Sequence, residues 1–411
     1  MRAGKRMETG IVAERKNLKR NKIISCVRYH SEVSRLDVKK ITGYSMTTVL
    51  TIIEELLQRK LLTEEECTTA RAGRKPTWLN INPKGAYAIG VEFNAELLTC
   101  CVVDFSYEVI FNCQCEMSCD DTAEMVVKKI GDSVRKALDY LGRERSERVL
   151  GIGLGIPGYL NRESGTLLEY AHIRALHDLP LRERIEKELG FPVLIENNIN
   201  TMALAYRWNT YQETAEDFVF LSMKHGTRMG SFIANHLLLG NGNAGEIGHI
   251  RLTNGSRYCS CGRRGCLDTE VSAKAIRNKI AERMECGQFG QIAALCGGDR
   301  SKITVQMLVD EARAGNAEAI SLLDETAQWL SQCLSGMIAT LNPSRLIIAS
   351  QSGLGGKLFS DMLFHHLKET TTPVLLKDFC VECIKVSENM GAFGAAMLLL
   401  ENEFQVIDGT V

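Results

Sequence analysis

The sequence has no long apolar run. No stretch approaches the roughly 20 consecutive apolar residues that a membrane-spanning helix needs. The opening residues, MRAGKRMETG, lack the apolar segment of a secretory signal. Internal repeats and low-complexity segments are also absent. These absences argue against membrane and exported proteins, and we expect a soluble cytoplasmic protein with no membrane partner.

Net charge is almost absent, because 49 basic residues balance 50 acidic ones and leave a formal charge of −1. The charge is unevenly placed, however, since the first forty residues carry few acidic residues and many basic ones. A basic block on a balanced protein favours a polyanion such as nucleic acid, although a solvated charged face gives the same pattern. The basic residues are Arg2, Lys5, Arg6, Arg15, Lys16, Lys19, Arg20, Lys22, Arg28, Arg35, Lys39 and Lys40.

The chain is too long for one typical core, and 411 residues are expected to fold as two or three compact units. It contains 15 cysteines. They are scattered and no export signal precedes them, so we expect reduced thiols rather than a disulfide scaffold. A cluster of cysteines is therefore a candidate metal site.

The first sixty residues predict three helices. Residues 17–30 have apolar side chains at helical spacing. Ser34 followed by Asp37 resembles a capping box, and Gly43 should end that second helix. Ser45 can cap a third helix. Its predicted buried stripe is Val49, Ile52, Ile53, Leu56 and Leu57.

The turn and helix spacing match a helix-turn-helix, whose third helix presents its N-terminal end to the major groove of DNA. A three-helix interaction module fits the same pattern. The candidate DNA-contacting residues on this helix are Ser45, Met46, Thr47, Thr48 and Thr51.

The following segment predicts a β-wing. A polar stretch leads into ARAGRKP (70–76) and the alternating TWLNI (77–81). Arg71, Arg74 and Lys75 would form a thin basic tip that can enter a narrow minor groove. An ordinary charged hairpin tip is the alternative. With the helices, the wing favours a winged helix-turn-helix DNA-binding domain over residues 1–84.

Beyond Pro83, short apolar runs alternate with helical stretches, which is typical of an α/β protein. We expect two lobes with a ligand cleft between them. The first lobe is predicted over 85–205, with a C-terminal helix (391–405) packing on it, and the second over 206–390. The predicted strands include VLGIGLGIPG (149–158), FPVLIENN (191–198), DFVFLSM (217–223) and RLIIAS (345–350).

The strongest chemical signal is the string GHIRLTNGSRYCSCGRRGC (248–266). Its one imidazole and three thiolates, with no obvious open position, suit a single tetrahedral structural zinc ion. Gly262 and Gly265 permit the tight turns that let the sulfurs converge. Four reduced residues on a loop are the alternative. The predicted ligands are His249, Cys259, Cys261 and Cys266.

At these residues the sequence resembles the ROK family, which groups bacterial sugar-responsive repressors with sugar kinases of the actin-like ATPase fold. The likeness covers nearly the whole chain, and its most specific element is GEIGH (245–249) combined with CSCGRRGC (259–266). It implies a winged helix-turn-helix followed by a two-lobed kinase-like body with a zinc-binding loop. Supporting strings are GIPG (155–158), ENNIN (196–200), LNP (341–343) and GAFGAA (391–396).

The resemblance also implies a sugar site. His249 would bind zinc through one ring nitrogen and a sugar hydroxyl through the other. Asn198 stands where the kinases have an aspartate as general base, and an amide cannot take that proton. Asp268 replaces a glutamate, for which Glu270 is a possible substitute. The implied sugar-binding residues are Gly158, Asn197, Asn198, Glu246, His249 and Asp268, with His172 nearby.

The nucleotide side departs further from the kinase pattern. The first phosphate loop, Asp-x-Gly-Gly-Thr in the kinases, reads EFNAE (92–96). The second reads GTRMGS (226–231), where Arg228 replaces a glycine, and the adenosine-side glycines read ASQSG (349–353). Loss of the base and of three nucleotide elements predicts that the protein is not an enzyme.

The combined interpretation is a transcriptional repressor of carbohydrate-utilisation genes that binds operator DNA and is modulated by a sugar effector. We expect a homodimer or higher homo-oligomer, because two half-sites supply affinity and spacing specificity. One alternative is a ROK-type sugar kinase with an appended DNA-binding domain. Another is a regulator whose winged helix contacts proteins.

Overall fold

The computed structural model describes residues 2–30, 32–66, 77–210, 216–223, 226–350, 354 and 356–404. These residues form two compact units. Unit 1 lies within Met1–Ala215 and Asn389–Val411, and unit 2 within Glu216–Glu388. No helix in the described ranges is long and apolar enough to cross a membrane.

Unit 1 begins with α1 (Arg2–Tyr29), α2 (Arg35–Thr42) and α3 (Met46–Gln58), followed by the antiparallel strands β1 (Leu62–Glu66) and β2 (Thr77–Ile81). Local sequence sets the helix ends as predicted. The Ser34 hydroxyl accepts from the Asp37 N–H, and the Asp37 carboxylate accepts from the Ser34 N–H, which forms the capping box. Gly43 ends α2 at φ 71°, and the Ser45 hydroxyl accepts from the Thr48 N–H.

Most of the described apolar side chains on these helices are buried, although Leu18, Leu36 and Leu50 are exposed. Leu57 is a further exception, because it was predicted in the buried stripe of α3 and is only half-buried. Strand β2 joins this group through a hydrogen bond of 2.8 Å from the Leu79 N–H to the Val33 carbonyl. The buried set includes Ile23, Ile24, Val27, Val38, Val49, Ile52, Ile53 and Leu56.

The rest of unit 1 is an α/β lobe. Its elements are β3 (Tyr87–Phe93), β4 (Leu97–Asp104), β5 (Val109–Glu116), α4 (Ala123–Ser146), β6 (Val149–Ile156), β7 (Tyr159–Asn161), β8 (Thr166–Glu169), β9 (His177–Leu179), α5 (Leu181–Leu189), β10 (Val193–Asn197) and α6 (Asn198–Thr210). The main sheet has the order β10-β6-β3-β4-β5, and β7-β8-β9 form a small second sheet. Strands β3, β6 and β10 are parallel, whereas β4 and β5 are antiparallel to their neighbours.

Unit 2 is a second α/β lobe. Its elements are β11 (Phe218–Met223), β12 (Thr227–Ile233), β13 (His236–Leu237), α7 (Asp268–Val271), α8 (Ala273–Glu285), α9 (Gly290–Cys296), α10 (Val305–Arg313), α11 (Ala317–Leu341), β14 (Arg345–Ser350), α12 (Lys357–Thr370) and β15 (Cys380–Lys385). The sheet order is β13-β12-β11-β14-β15, with β11, β14 and β15 parallel. Its helices pack around a large apolar core.

The chain returns to unit 1 as α13 (Met390–Phe404), which corresponds to the C-terminal helix predicted over 391–405. This helix packs closely on the sheet, since a Cβ added at Gly90 would lie 1.9 Å from the Ala392 carbonyl oxygen. The lobe division predicted after residue 205 falls inside α6. All of α6 belongs to unit 1, and Trp208 near its end donates to Glu401 of α13 at 2.9 Å.

Candidate metal centre and ligand-binding residues

Four metal-ligating side chains lie together in unit 2. One donor atom from each of His249, Cys259, Cys261 and Cys266 lies within 4.8 Å of the others. The Cys259 Sγ is 3.4 Å from the His249 Nδ1, and the Cys261 and Cys266 Sγ atoms are 3.7 Å apart. A tetrahedral ion with usual zinc bond lengths separates two sulfurs by about 3.8 Å and sulfur from nitrogen by about 3.5 Å. The four residues therefore fit a metal ion of that size and geometry.

Backbone turns bring these donors together. The Cys259 N–H donates to the Arg263 carbonyl at 2.8 Å, and the Gly262 N–H donates back to the Cys259 carbonyl at 3.0 Å. Gly265 has φ 76°, and a Cβ there would lie 1.9 Å from the Thr253 carbonyl oxygen. Only glycine fits that position.

Glu246 and His249 lie at either end of a 3₁₀ turn beside the cluster. The His249 Nδ1 faces the sulfurs, while its Nε2 is 3.9 Å from Glu246 Oε2. Arg228 binds the other carboxylate oxygen of Glu246 at 3.0 Å. Burial raises the pKa of Glu246, and Arg228 opposes that rise. Glu246 Oε2 is enclosed without a hydrogen-bond partner among the described residues, so it can accept from a ligand hydroxyl.

Asp268 stands beside this pair at the start of α7. Its Oδ1 accepts from the Thr227 N–H at 2.7 Å, and burial raises the pKa of its carboxyl group. Glu270, the suggested substitute, is occupied elsewhere, because its Oε2 is 2.9 Å from Lys279 Nζ and 3.4 Å from an Arg257 nitrogen. Asp268 is thus the better placed of the two acids for a ligand next to Glu246.

The remaining predicted ligand residues belong to unit 1. Asn197 donates to the Gly158 carbonyl at 2.9 Å and accepts from the Ile199 N–H at 3.1 Å. Asn198, the first residue of α6, is half-buried, and its amide nitrogen donates to Glu92 at 3.3 Å. The His172 ring lies against the Tyr170 ring at a centroid distance of 5.4 Å. The Asn197 side chain is therefore used in hydrogen bonds that stabilise the adjoining backbone, whereas the Asn198 side chain is more accessible.

In the two segments that correspond to the kinase phosphate loops by resemblance, several backbone N–H groups already have partners within the protein. The Asn94 side chain accepts from the Glu96 and Leu97 N–H groups at 2.9 and 3.1 Å. The Thr227 N–H is used by Asp268. Residues 351–353 of the third segment lie outside the described residues. In these two segments, the named amides are not available to a phosphate without rearrangement.

The residues predicted to contact DNA differ in exposure. Ser45, Thr47 and Thr51 are exposed at the start of α3, and Thr48 is half-buried. The Thr51 hydroxyl donates to the Thr47 carbonyl at 2.9 Å, and the Ser45 and Thr48 hydroxyls are 2.9 Å apart. The wing-tip residues Arg71, Arg74 and Lys75 lie outside the described residues.

Part of the basic block faces its own protein rather than a polyanion. Arg28 donates to the Phe105 carbonyl at 2.7 Å, and its guanidinium carbon lies 3.6 Å from the centre of the Tyr107 ring. Burial lowers the pKa of Arg28, and Tyr107 opposes that change. Arg20 also contacts the protein itself, since its Nη2 lies 4.0 Å from Glu403 Oε1 of α13. The sequence gives no signal for these contacts, because their partners are distant along the chain.

Tyr107 joins α1 to the interior of unit 1. It has φ 73°, a left-handed conformation that costs a non-glycine residue about 1 kcal/mol. Its ring meets the Trp208 ring edge-on at 4.8 Å, and Trp208 and Arg207 both donate to Glu401 at 2.9 Å. Packing against Arg28 and Trp208 holds the tyrosine in this conformation.

Comparison with known proteins identifies a family and several relatives. A model of the ROK family matches residues 88–402. The xylose repressor of Caldicellulosiruptor bescii is 24% identical over 371 residues, which are 90% of this chain and 92% of that protein. The glucokinase of Halalkalibacterium halodurans is 25% identical over 317 residues, 77% of this chain and 95% of that enzyme.

A solved structure has the same fold. The crystal structure of a ROK family transcriptional regulator, a homologue of the E. coli MLC protein, superimposes with a TM-score of 0.81. It is 22% identical and covers 95% of this chain and 97% of that one. The overlap includes both the N-terminal region and the α/β body.

Proposed function

Because the chain belongs to the ROK family, we propose that it is a DNA-binding transcription regulator that represses carbohydrate-utilisation genes and responds to a sugar. The observation that carries this proposal is the N-terminal region, α1–α3 with the β1–β2 pair, attached to a ROK body. The xylose repressor matches 90% of the chain, whereas the glucokinase matches 77%.

The DNA interface is proposed on α3 and the β1–β2 connection. The start of α3 is capped by Ser45 and leaves Thr47 and Thr51 exposed, as a recognition helix requires. Arg71, Arg74 and Lys75 would add minor-groove or phosphate contacts. A homodimer or higher oligomer would place two such helices on two half-sites.

The metal is proposed to be one structural zinc ion per chain, held by His249, Cys259, Cys261 and Cys266. The observed sulfur–sulfur distance of 3.7 Å supports this set, and three thiolates with one imidazole leave no open position. Zinc would fix the imidazole with Nδ1 towards the sulfurs. The other ring nitrogen then stays available to a ligand.

A polyol is proposed to bind at Glu246, His249 and Asp268 of unit 2, and Asn198 is proposed separately as a ligand-contacting residue of unit 1. Glu246 carries the strongest support, because its enclosed Oε2 has no hydrogen-bond partner among the described residues. Two carboxylates and an imidazole suit the hydroxyl groups of a sugar. Asn197 and Gly158, which hydrogen-bond each other, would shape the loop before Asn198.

Phosphoryl transfer is not part of the proposed function. Asn198 lacks the basicity that a general base needs, and Asn94 already uses the Glu96 and Leu97 amides. Arg228 is paired with Glu246 where the kinases have a glycine. The competing candidate is a sugar kinase with an added DNA-binding domain, which the glucokinase relatives favour.

We further propose that α6 couples the ligand to α1. Asn198 begins α6, and Trp208 lies about 15 Å further along that helix at 1.5 Å per residue. Trp208 contacts Tyr107, and Tyr107 contacts Arg28 of α1. A ligand that binds one position of α6 better than another would thereby change how α1 is held.

A thermal-shift screen with monosaccharides, amino sugars and ATP tests the ligand proposal, since a ligand that binds only the folded protein raises the melting temperature. We expect a shift with one sugar and none with ATP. A shift with ATP, together with ATP turnover in the presence of that sugar, would instead establish the kinase.

Operator binding tests the DNA proposal separately. The affinity for DNA should fall steeply with salt, because each phosphate contact releases counterions. A variant with Arg71, Arg74 and Lys75 changed to alanine should show a shallower salt dependence. If the protein binds no DNA at any salt concentration, the regulator must act through protein partners.

A further inference from the structure

Two cysteines face each other across β4 and β5, apart from the sites described above. Cys100 and Cys113 are register partners in this antiparallel pair. Directly opposed residues project from the same face, with Cα atoms about 4.5–5.5 Å apart. Disulfides span Cα separations of about 4.4–6.8 Å, so the strand pairing already supplies the required approach.

The neighbouring cysteines are not paired in this way. Cys101 lies opposite Asn112, and Cys115 lies opposite Leu98. Two further cysteines within two positions of the pair thus provide matched comparisons on the same strands. The strand register singles out Cys100 and Cys113.

The two thiols have different environments. Cys100 is fully buried, whereas Cys113 is half-buried on the edge strand β5 with its Sγ 3.9 Å from the Ser133 carbonyl oxygen of α4. The hydrogen bond with Cys100 and the positive charge of Lys136 lower the pKa of Cys113 to about 7, although burial opposes this. The same hydrogen bond, together with burial, raises the pKa of Cys100 well above its usual value. Because Cys113 is partly exposed whereas Cys100 is fully buried, a peroxide reaches Cys113 first, and Cys113 is the nucleophile of the pair.

We propose that Cys100 and Cys113 are a reversible thiol–disulfide pair that is oxidised by hydroperoxides. The Cys113 thiolate attacks the peroxide, the O–O bond breaks, and Cys113 becomes a sulfenic acid while the leaving oxygen takes up a proton as water or alcohol. The Cys100 sulfur then attacks the Cys113 sulfur. The S–S bond forms, the S–O bond breaks, and the hydroxyl leaves with the Cys100 proton as water. The peroxide receives both electrons.

Peptide mapping of the reduced full-length protein after hydrogen peroxide treatment tests this proposal. Cleavage after acidic residues separates LLTCCVVD (97–104) from VIFNCQCE (109–116). We expect the two fragments to be joined under non-reducing conditions, lighter by two hydrogen atoms, and to separate after dithiothreitol. If they remain separate while the exposed Cys286 is oxidised, the proposal is wrong.

Four serine variants assign the bond. Cys100→Ser and Cys113→Ser should each reduce the joined fragments at least about tenfold, whereas Cys101→Ser and Cys115→Ser should leave them unchanged. In Cys100→Ser, dimedone should trap the Cys113 sulfenic acid. Joined fragments that persist in Cys113→Ser or disappear in Cys115→Ser would contradict the assignment. The wild-type map gives an answer even if a variant fails to fold.

Discussion

The contact between Arg28 and Tyr107 holds α1 against the lobe of unit 1, and two substitutions test how strongly. Arg28→Met keeps a long apolar side chain but removes the guanidinium group. Tyr107→Leu keeps an apolar side chain but removes the aromatic face. Each is made alone and in combination, so that the pair can be separated from its surroundings.

The expected size follows from the contacts. Arg28→Met loses a charge-assisted hydrogen bond to the Phe105 carbonyl, about 1.5–3 kcal/mol, and a cation–π contact of about 0.5–2 kcal/mol. The substitution also removes Nη2, which is enclosed without a hydrogen-bond partner among the described residues, and so recovers a penalty of about 1–3 kcal/mol. The net loss should be about 1–2 kcal/mol, which is a factor of about 5–30 in the opening equilibrium of α1.

Hydrogen exchange of α1, followed by mass spectrometry over residues 16–29, measures this opening directly. Lys16→Met is the control on the same helix, because the exposed Lys16–Glu55 pair should contribute less than about 1 kcal/mol. The Arg28 and Tyr107 effects should be coupled by about 0.5–2 kcal/mol. Strictly additive effects, or exchange equal to that of Lys16→Met, would refute the argument that this pair holds α1.

The remaining predictions concern the proposed sites. Cys261→Ser should lose the bound zinc in a metal assay, whereas Cys286→Ser, outside the cluster, should retain it; a full zinc content in the first variant would overturn the four-ligand centre. Glu246→Ala should weaken sugar binding about 10- to 100-fold in calorimetry and leave operator binding intact, because only a ligand needs its free oxygen. Asn198→Asp should not produce a sugar phosphate from ATP, since the phosphate-loop amides stay occupied, and any such product would favour the kinase. Arg74→Ala should reduce the salt slope of operator binding by about one, as a single phosphate contact predicts, and an unchanged slope would remove it from the interface.

Short-range patterns in the sequence predicted much of the local structure. The capping box at Ser34, the end of α2 at Gly43 and the cap at Ser45 are all as expected. The predicted strands at 149–158 and 345–350 correspond to β6 and β14. Each of these features depends on residues a few positions apart, so a window of sequence contains the interaction that decides it.

The grouping of the four candidate metal ligands was also predictable, because all four lie within 249–266 and two glycines mark the turns between them. The surrounding pairs were not. Arg228 binds Glu246 through the fold of β12, and Lys279 on α8 occupies Glu270. The sequence identifies the acidic residues near the cluster, but it does not show which of them already pair with a basic side chain.

By itself, the sequence determined the helix caps, the alternation of strands and helices and the residues of the metal-ligand cluster, because neighbouring residues fix all three. Only the tertiary structure decided that Arg28, one of the basic residues near the N-terminus, packs on Tyr107. It also decided that Trp208, near the end of α6, lies beside α13. It also set Cys100 opposite Cys113 through the register of two strands. These contacts join residues that are remote in sequence, and only the packing of the whole unit selects such partners.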